Sequence, residues 1–137
     1  MAGTPRFNGP TLSRGFVATE AMAAYRCVVI STDTDACEYN AAQYDPIFGV
    51  TMHDVAINAM VDVAYSGISL VQVDGAAATI TALTTMLLAH DAVGYAQAAA
   101  GGAAGLRRVF GMALAGSSTD GDIIPFLFAQ GTNYYAS

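Results

Sequence analysis

Lysine and tryptophan are missing altogether from this 137-residue chain, and charged residues make up only 12% of it. Five arginines, Arg6, Arg14, Arg26, Arg107 and Arg108, face 11 acidic residues, for a net charge of −6 and a pI near 4.4. Without lysine there is no phosphate-binding P-loop, no Schiff-base nucleophile and no lysine general base, so the Gly-rich run Gly94 to Gly105 reads as a loop. Nucleic acid requires a concentrated basic face, and Arg107 and Arg108, adjacent on a strand, would point to opposite sides. No nucleic-acid partner is expected.

Cysteine is scarce too, with Cys27 and Cys37 the only two. A hairpin around Thr32-Asp33-Thr34-Asp35 would permit a disulfide between them. Free, buried thiols are the favoured reading, because Met1 to Gly15 carries no apolar signal-peptide core and synthesis in the cytoplasm is expected. No stretch approaches the roughly 18 uninterrupted apolar residues of a membrane helix, so no membrane partner is expected.

What the chain does have is apolar residues, 54% of the total, enough for one domain with a real core. With so little charge to cover it, much of the surface is expected to meet another subunit, making a homo-oligomer the expected state.

A β-unit occurs twice. Ile47-Phe48-Gly49-Val50-Thr51 returns as Val109-Phe110-Gly111-Met112-Ala113, and Met60 to Tyr65 has its counterpart in Ile123 to Phe128. Neither half can bury an apolar face alone, and against one another they would make a single all-β body. The fold expected is a small β-barrel or β-sandwich of two related halves, about 15–75 and 76–131, with at most one short helix. An extended N-terminal arm, 1–14, precedes it and a C-terminal tail, 132–137, follows.

Strands are expected at Tyr25 to Ile30, Ala36 to Tyr39, Ile47 to Met52, Met60 to Tyr65, Ile68 to Val73, Met86 to Ala89, Val93 to Ala96, Arg108 to Leu114 and Ile123 to Ala129. Pro125 lacks a ladder donor, which puts its strand at an edge or a bulge. Ala76 to His90 admits a helix or a strand with turns, its β-branched residues arguing against the helix. Ala96 to Gly105 reads as a surface loop, with Ala96 to Ala100 alone capable of helix.

Sites of chemistry are sparse. His53-Asp54 recurs as His90-Asp91, a histidine beside a carboxylate, but neither copy has a nearby second His or Cys for a metal. No Gly-x-Ser-x-Gly elbow surrounds Ser117 or Ser118, and the acid pairs Asp33/Asp35 and Asp120/Asp122 read as solvated turns. No catalytic, cofactor-binding or metal residue is assigned. The arm, with Arg6, Phe7 and Arg14 on an acidic body, is a candidate docking segment as well as an ordinary terminus. Tyr134 and Tyr135 are candidate partner contacts.

The order of pieces carries a resemblance. Tyr25 to Ile30 is followed by a Phe-Gly-Val strand, then Val61-Asp62-Val63-Ala64-Tyr65-Ser66-Gly67-Ile68 and Leu70-Val71-Gln72-Val73-Asp74-Gly75. The second half runs from Ile80-Thr81-Ala82 through Phe110-Gly111-Met112-Ala113-Leu114 to Asp120-Gly121-Asp122-Ile123-Ile124-Pro125-Phe126-Leu127. This progression, over about residues 15 to 131, resembles the tailed-phage capsid cement or head decoration proteins. It departs at Ala82-Leu83-Thr84-Thr85, where many members place Ala-Gly-Asp.

The resemblance implies a compact β body, often a trimer, on the outer surface of the expanded virion head at three-fold or quasi-three-fold positions. It implies the major capsid protein lattice as partner, synthesis in the host cytoplasm, no cofactor and no catalysis. Arg6, Phe7 and Arg14 would dock on the capsid while the body forms the oligomer. Other readings of the sequence are a virion adhesin or carbohydrate-binding β-module and, more remotely, a small hydrolase using a cysteine or a His-Asp pair.

Overall fold

The computed structural model describes residues 11–31, 35–41, 46–90, 94–99, 105–129 and 133–136, with backbone alone for 105–107 and 133–136. These residues form eleven strands and no helix. β1 (Leu12–Ala18), β2 (Cys27–Ile30), β3 (Ala36–Tyr39), β4 (Gly49–Thr51) and β5 (Met60–Ser66) close a barrel in the order β1-β3-β2-β4-β5. β5 passes through Gly67, at φ 89°, directly into β6 (Ile68–Asp74). With β7 (Met86–Ala89), β8 (Ala96–Ala98), β9 (Gly105–Ala113) and β10 (Asp120–Phe128), β6 opens the order β10-β6-β8-β7-β9, which the β9–β10 pairing closes. β11 (Asn133–Ala136) extends the sheet along β9.

The two barrels have one topology. In each, the first strand pairs parallel with the third, and every other neighbour is antiparallel. The register repeats as well: Ala18↔Cys37, Val28↔Gly49 and Thr51↔Val63 in the first barrel match Val73↔Ala96, Leu87↔Gly111 and Ala113↔Phe126 in the second. Phe16↔Val61 likewise matches Val71↔Ile124. Isolated bridges at Met22↔Val55 and Ile80↔Ser117 tie corresponding connections. The duplicated Phe-Gly unit falls on β4 and β9, and its partner on β5 and β10, so the repeat in the sequence is a repeat of structure.

Each barrel is filled by alternating residues around a cluster of rings, the usual way a small barrel excludes water. Phe16 meets Phe48 edge-on at 5.2 Å, and Phe48 meets Tyr65 at 5.6 Å. In the second barrel Phe110 meets Phe126 edge-on at 5.4 Å, and Phe126 meets Phe128 edge-on at 4.5 Å. Phe48 and Phe110 are equivalent, as are Tyr65 and Phe128, but the third ring changes strand. The first barrel has Phe16 on β1 with Val63 on β5, while the second has Val71 on β6 with Phe126 on β10. Exchanging a large and a small residue across the interior keeps its volume, which a close-packed core requires.

Several expectations need correction. The arm is shorter than 1–14, because Leu12, Ser13 and Arg14 are strand residues paired with β5. The tail is not separate: Asn133 to Ala136 pair with Arg108 to Gly105 of β9. Ala96 to Ala98 is not a surface loop but buried β8, whose small side chains let the strand sit between β6 and β7. The stretch 76–85 agrees with expectation, holding turns rather than a helix and leading into β7, as its β-branched residues argued.

The expectation for Pro125 needs correction too, for β10 is paired on both sides by β6 and β9, and its register shift lies at Asp120/Asp122 rather than at the proline. The Pro125 carbonyl accepts from Leu114 N, so the side on which it lacks a donor lies where the β9 ladder begins at Phe126↔Ala113. The cysteines are free. Cys37 lies opposite Ile30 and packs inside the first barrel, while Cys27 lies opposite Val50 and faces the second. Strand alternation thus turns them to opposite faces of the sheet.

Candidate interaction surface

The barrels meet along a seam made from the outer face of β2 and β4. Cys27 and Val50 join the core of the second barrel there, together with Ile47. Among the described residues backbone crosses the seam twice, with Gln72 N donating to Tyr25 O at 2.8 Å and Cys27 N to Gly94 O at 2.6 Å.

Arg26 holds the seam from the side. Its Nε donates to Gln72 Oε1 at 2.8 Å, and its guanidinium lies 4.5 Å from the centre of the Tyr95 ring and 6.0 Å from that of Tyr39. Gln72 Nε2 donates in turn to Gly121 O at 3.0 Å. A planar cation can stack and fork at once, which an ammonium cannot, so this position suits arginine. Buried Thr51 Oγ1 accepts from Arg26 N at 3.0 Å and donates to Ala23 O at 2.7 Å, fixing the backbone that presents the guanidinium.

Beside the clamp lies a groove of about 250 Å³ lined by Thr11, Tyr25, Met52, Ile68, Ser69 and Leu70. Thr11 Oγ1 closes one end by donating to Ile68 O at 2.8 Å. The lining is mostly apolar and carries no charged group, so the groove suits an apolar side chain rather than an ionic substrate.

The residues singled out in the sequence are dispersed. Arg14 belongs to β1, where it pairs with Asp35 at 2.8 Å and lies 4.7 Å from the centre of the Phe16 ring. Arg6 and Phe7 lie outside the described residues. Tyr134 and Tyr135 are placed by backbone register alone, opposite Arg107 and Leu106.

The two His-Asp dipeptides are not equivalent, for His53 follows β4 whereas His90 follows β7, the counterpart of β2. Nor does His53 use its neighbour's carboxylate. Its Nε2 lies 3.5 Å from Asp62 Oδ2 and accepts from Asp62 N at 3.2 Å, with Nδ1 against Asp54 O at 2.9 Å. Asp54 Oδ1 instead accepts from Ala24 N. His90 Nε2 lies 3.4 Å from Asp74 Oδ2, a pair less than one-fifth exposed, and Asp74 Oδ1 caps the turn at Ala76 and Ala77. Ser117 Oγ donates to Asp122 at 2.8 Å. Among the described residues no three His, Cys, Asp or Glu side chains gather as a metal site would need.

Burial raises the Cys27 thiol far above its usual range, and burial together with Glu20 and Glu38 pushes Cys37 up to about 11. Both are therefore held as unreactive thiols at neutral pH.

Sequence reading did not find Arg26, Gln72 and Tyr95 as a unit, because they come from three strands or turns far apart in the chain. The groove had no local signal either, because Thr11, Tyr25, Met52 and Ile68 to Leu70 come from four separate stretches of the chain.

The architecture defines a class, tandem five-stranded barrels of identical topology fused through a shared core. A solved structure has this fold: the head fiber gp8.5 N base of bacteriophage phi29 superposes with a TM-score of 0.61 at 20% identity, over 88% of this chain and 95% of that one. No family model matches the sequence, and no curated protein matches it.

Proposed function

We propose that this chain is a structural protein of a phage virion, a capsid decoration (cement) protein that binds the outside of the expanded head and stabilises it. The observation that carries the reading is the double-barrel fold shared with a phage head fiber base along nearly the whole of both chains. The order of sequence elements from about residue 15 to 131 supports it independently.

The surface suits the role. A net charge of −6 with no lysine keeps the protein from competing for packaged DNA, and uncharged apolar surface supplies protein contacts. Many copies bound to the major capsid protein lattice would stabilise the assembled shell in preference to its separated parts. The chain acts as a homo-oligomer, a trimer by the resemblance, without cofactor and without catalysis. Its arm, through Arg6 and Phe7, docks on the shell.

The test is co-sedimentation. Purified protein is mixed with expanded shells that lack it, and bound copies per shell are counted against concentration. Saturation at a simple multiple of the lattice's symmetry positions is the expected result. Absence of binding to the matched shell overturns the decoration reading and directs the search to a glycan ligand.

A further inference from the structure

The outer face of β6 and β10 is unlike the outer face of β1 and β5, although the two are related by the internal repeat. Three cross-strand pairs face outward on each barrel. In the first they are Ser13↔Ala64, Gly15↔Asp62 and Val17↔Met60. In the second, at the same register, they are Ile68↔Leu127, Leu70↔Pro125 and Gln72↔Ile123. A serine, a glycine, an aspartate and an alanine are thus answered by isoleucine, leucine, proline and leucine. The partners of these residues along β10, Ile124 and Phe126, are buried inside the barrel. β10 is therefore apolar on both faces, the pattern of a strand covered on both sides. Yet Ile123 is 48% exposed and Leu127 38%.

We infer that this face, from Ile123 and Leu127 across Leu70 to the Met52 groove, is the surface through which one copy of the chain packs against another. Three observations select a second copy as the occupant. First, the face is continuous with the barrel-on-barrel seam, because Ile68 and Leu70 line the groove with Tyr25 and Met52 of the first barrel. The chain already packs one barrel wall against another at that seam. Second, two acidic bodies that touch elsewhere bring carboxylates together, at a cost in free energy. On this face the six paired side chains carry no charge, and Asp74, Asp120 and Asp122 stand only at its end. Third, five of the six paired side chains are apolar on this wall, all but Gln72, whereas on the equivalent wall Ser13, Gly15 and Asp62 interrupt exposed Met60, Val17 and buried Ala64, so one wall alone offers a continuous apolar contact surface. The inference deepens the proposed oligomer and rests on that reading.

Sedimentation velocity of the full chain over a wide concentration range tests it, without any shell. The full chain is expected to run as an oligomer. Ile123→Asp with Leu127→Asp is expected to run as a monomer with unchanged circular dichroism, its dissociation constant raised by roughly a hundredfold or more. Ile123→Gln with Leu127→Gln serves the same end should the charges lower the melting temperature. Met60→Asp, at the equivalent place on the first barrel, is expected to leave association unchanged. A full chain that is monomeric throughout, a double variant that associates as the parent does, or a Met60→Asp variant that dissociates equally overturns the inference. Shell binding is measured separately, so a monomer that still saturates shells removes this interface and leaves the head-binding reading standing.

Discussion

Tyr25 and Leu83 occupy the same place in the two barrels and share a backbone conformation that side chains rarely adopt, with φ of 64° and 66°. Each amide donates to the equivalent carbonyl, Tyr25 N to Thr51 O and Leu83 N to Ala113 O, both at 2.8 Å. The left-handed bend lets the connection between the first two strands of each barrel turn back over the fourth. It costs a non-glycine residue about 1–2 kcal/mol. Tyr25 also lines the groove and bonds Gln72 across the seam, whereas Leu83 is 64% exposed. Leu83→Gly is therefore expected to stabilise the fold by up to about 1 kcal/mol, and Leu83→Val to destabilise it by about 1 kcal/mol. Urea unfolding followed by circular dichroism measures both.

Gly49 and Gly111, the glycines of the repeated Phe-Gly unit, are places of close approach. A Cβ on Gly49 would collide with the Ala64 carbonyl, and one on Gly111 would come within 2.6 Å of the Phe126 ring and 2.8 Å of Leu127 O. Gly49→Ala and Gly111→Ala are each expected to cost about 2–3 kcal/mol, by forcing β4 from β5 or β9 from β10. The midpoint of urea unfolding should fall for both, and parental midpoints would remove the close-packing argument.

The thiols set an alkaline limit. Cys37 is raised to about 11 and Cys27 is raised by burial, so the folded state holds their protons above the pH at which an unfolded thiol, near 9, loses them. The folded state then binds more protons than the unfolded one, and stability falls as pH rises. The Cys37 contribution is whole below about pH 9 and is lost as pH climbs through 9 to 11, at about 1.4 kcal/mol per pH unit, while the Cys27 decline starts at the same pH and continues beyond that window. Chemical denaturation at stepped pH should show this decline, with a smaller slope for Cys37→Ala. Aromatic disulfide reagents are expected to label neither cysteine until the protein is unfolded.

Removing residues 1–10 separates arm from body. Because Leu12 to Arg14 belong to β1 and Arg14 pairs with Asp35, the deletion must stop before Thr11 to spare the first barrel. The truncated chain is expected to keep its melting temperature and its sedimentation coefficient per subunit while losing shell binding. Full retention of binding moves the docking contact from Arg6 and Phe7 to the body.

The duplication was legible because a glycine at a point of close approach and the apolar strand after it tolerate few substitutes, so both copies kept their wording. β2, β3, β5, β6, β7 and β10 were legible from alternation and turn residues to within a few positions. β1 was hidden because Leu12-Ser13-Arg14-Gly15 mixes polar and small residues at the mouth of a barrel, where only Phe16 and Ala18 reach the core. β8 was hidden because Ala-Gln-Ala has no preference for a strand, and only its neighbours make one of it.

The chain by itself determined its class. Absent lysine and scarce charge excluded whole chemistries, and repeated apolar alternation committed it to paired β-units, since these depend on residue type and spacing alone. Tertiary structure decided which units pair and what they bring together. Arg26, Gln72 and Tyr95 converge only because two barrels dock, and His53 takes Asp62 rather than adjacent Asp54 because neighbouring strands, not neighbouring residues, set side-chain distances. The apolar wall of β6 and β10 appears as one surface only when the ladder sets Leu127 beside Ile68 and Pro125 beside Leu70, a register that no local spacing in the sequence specifies.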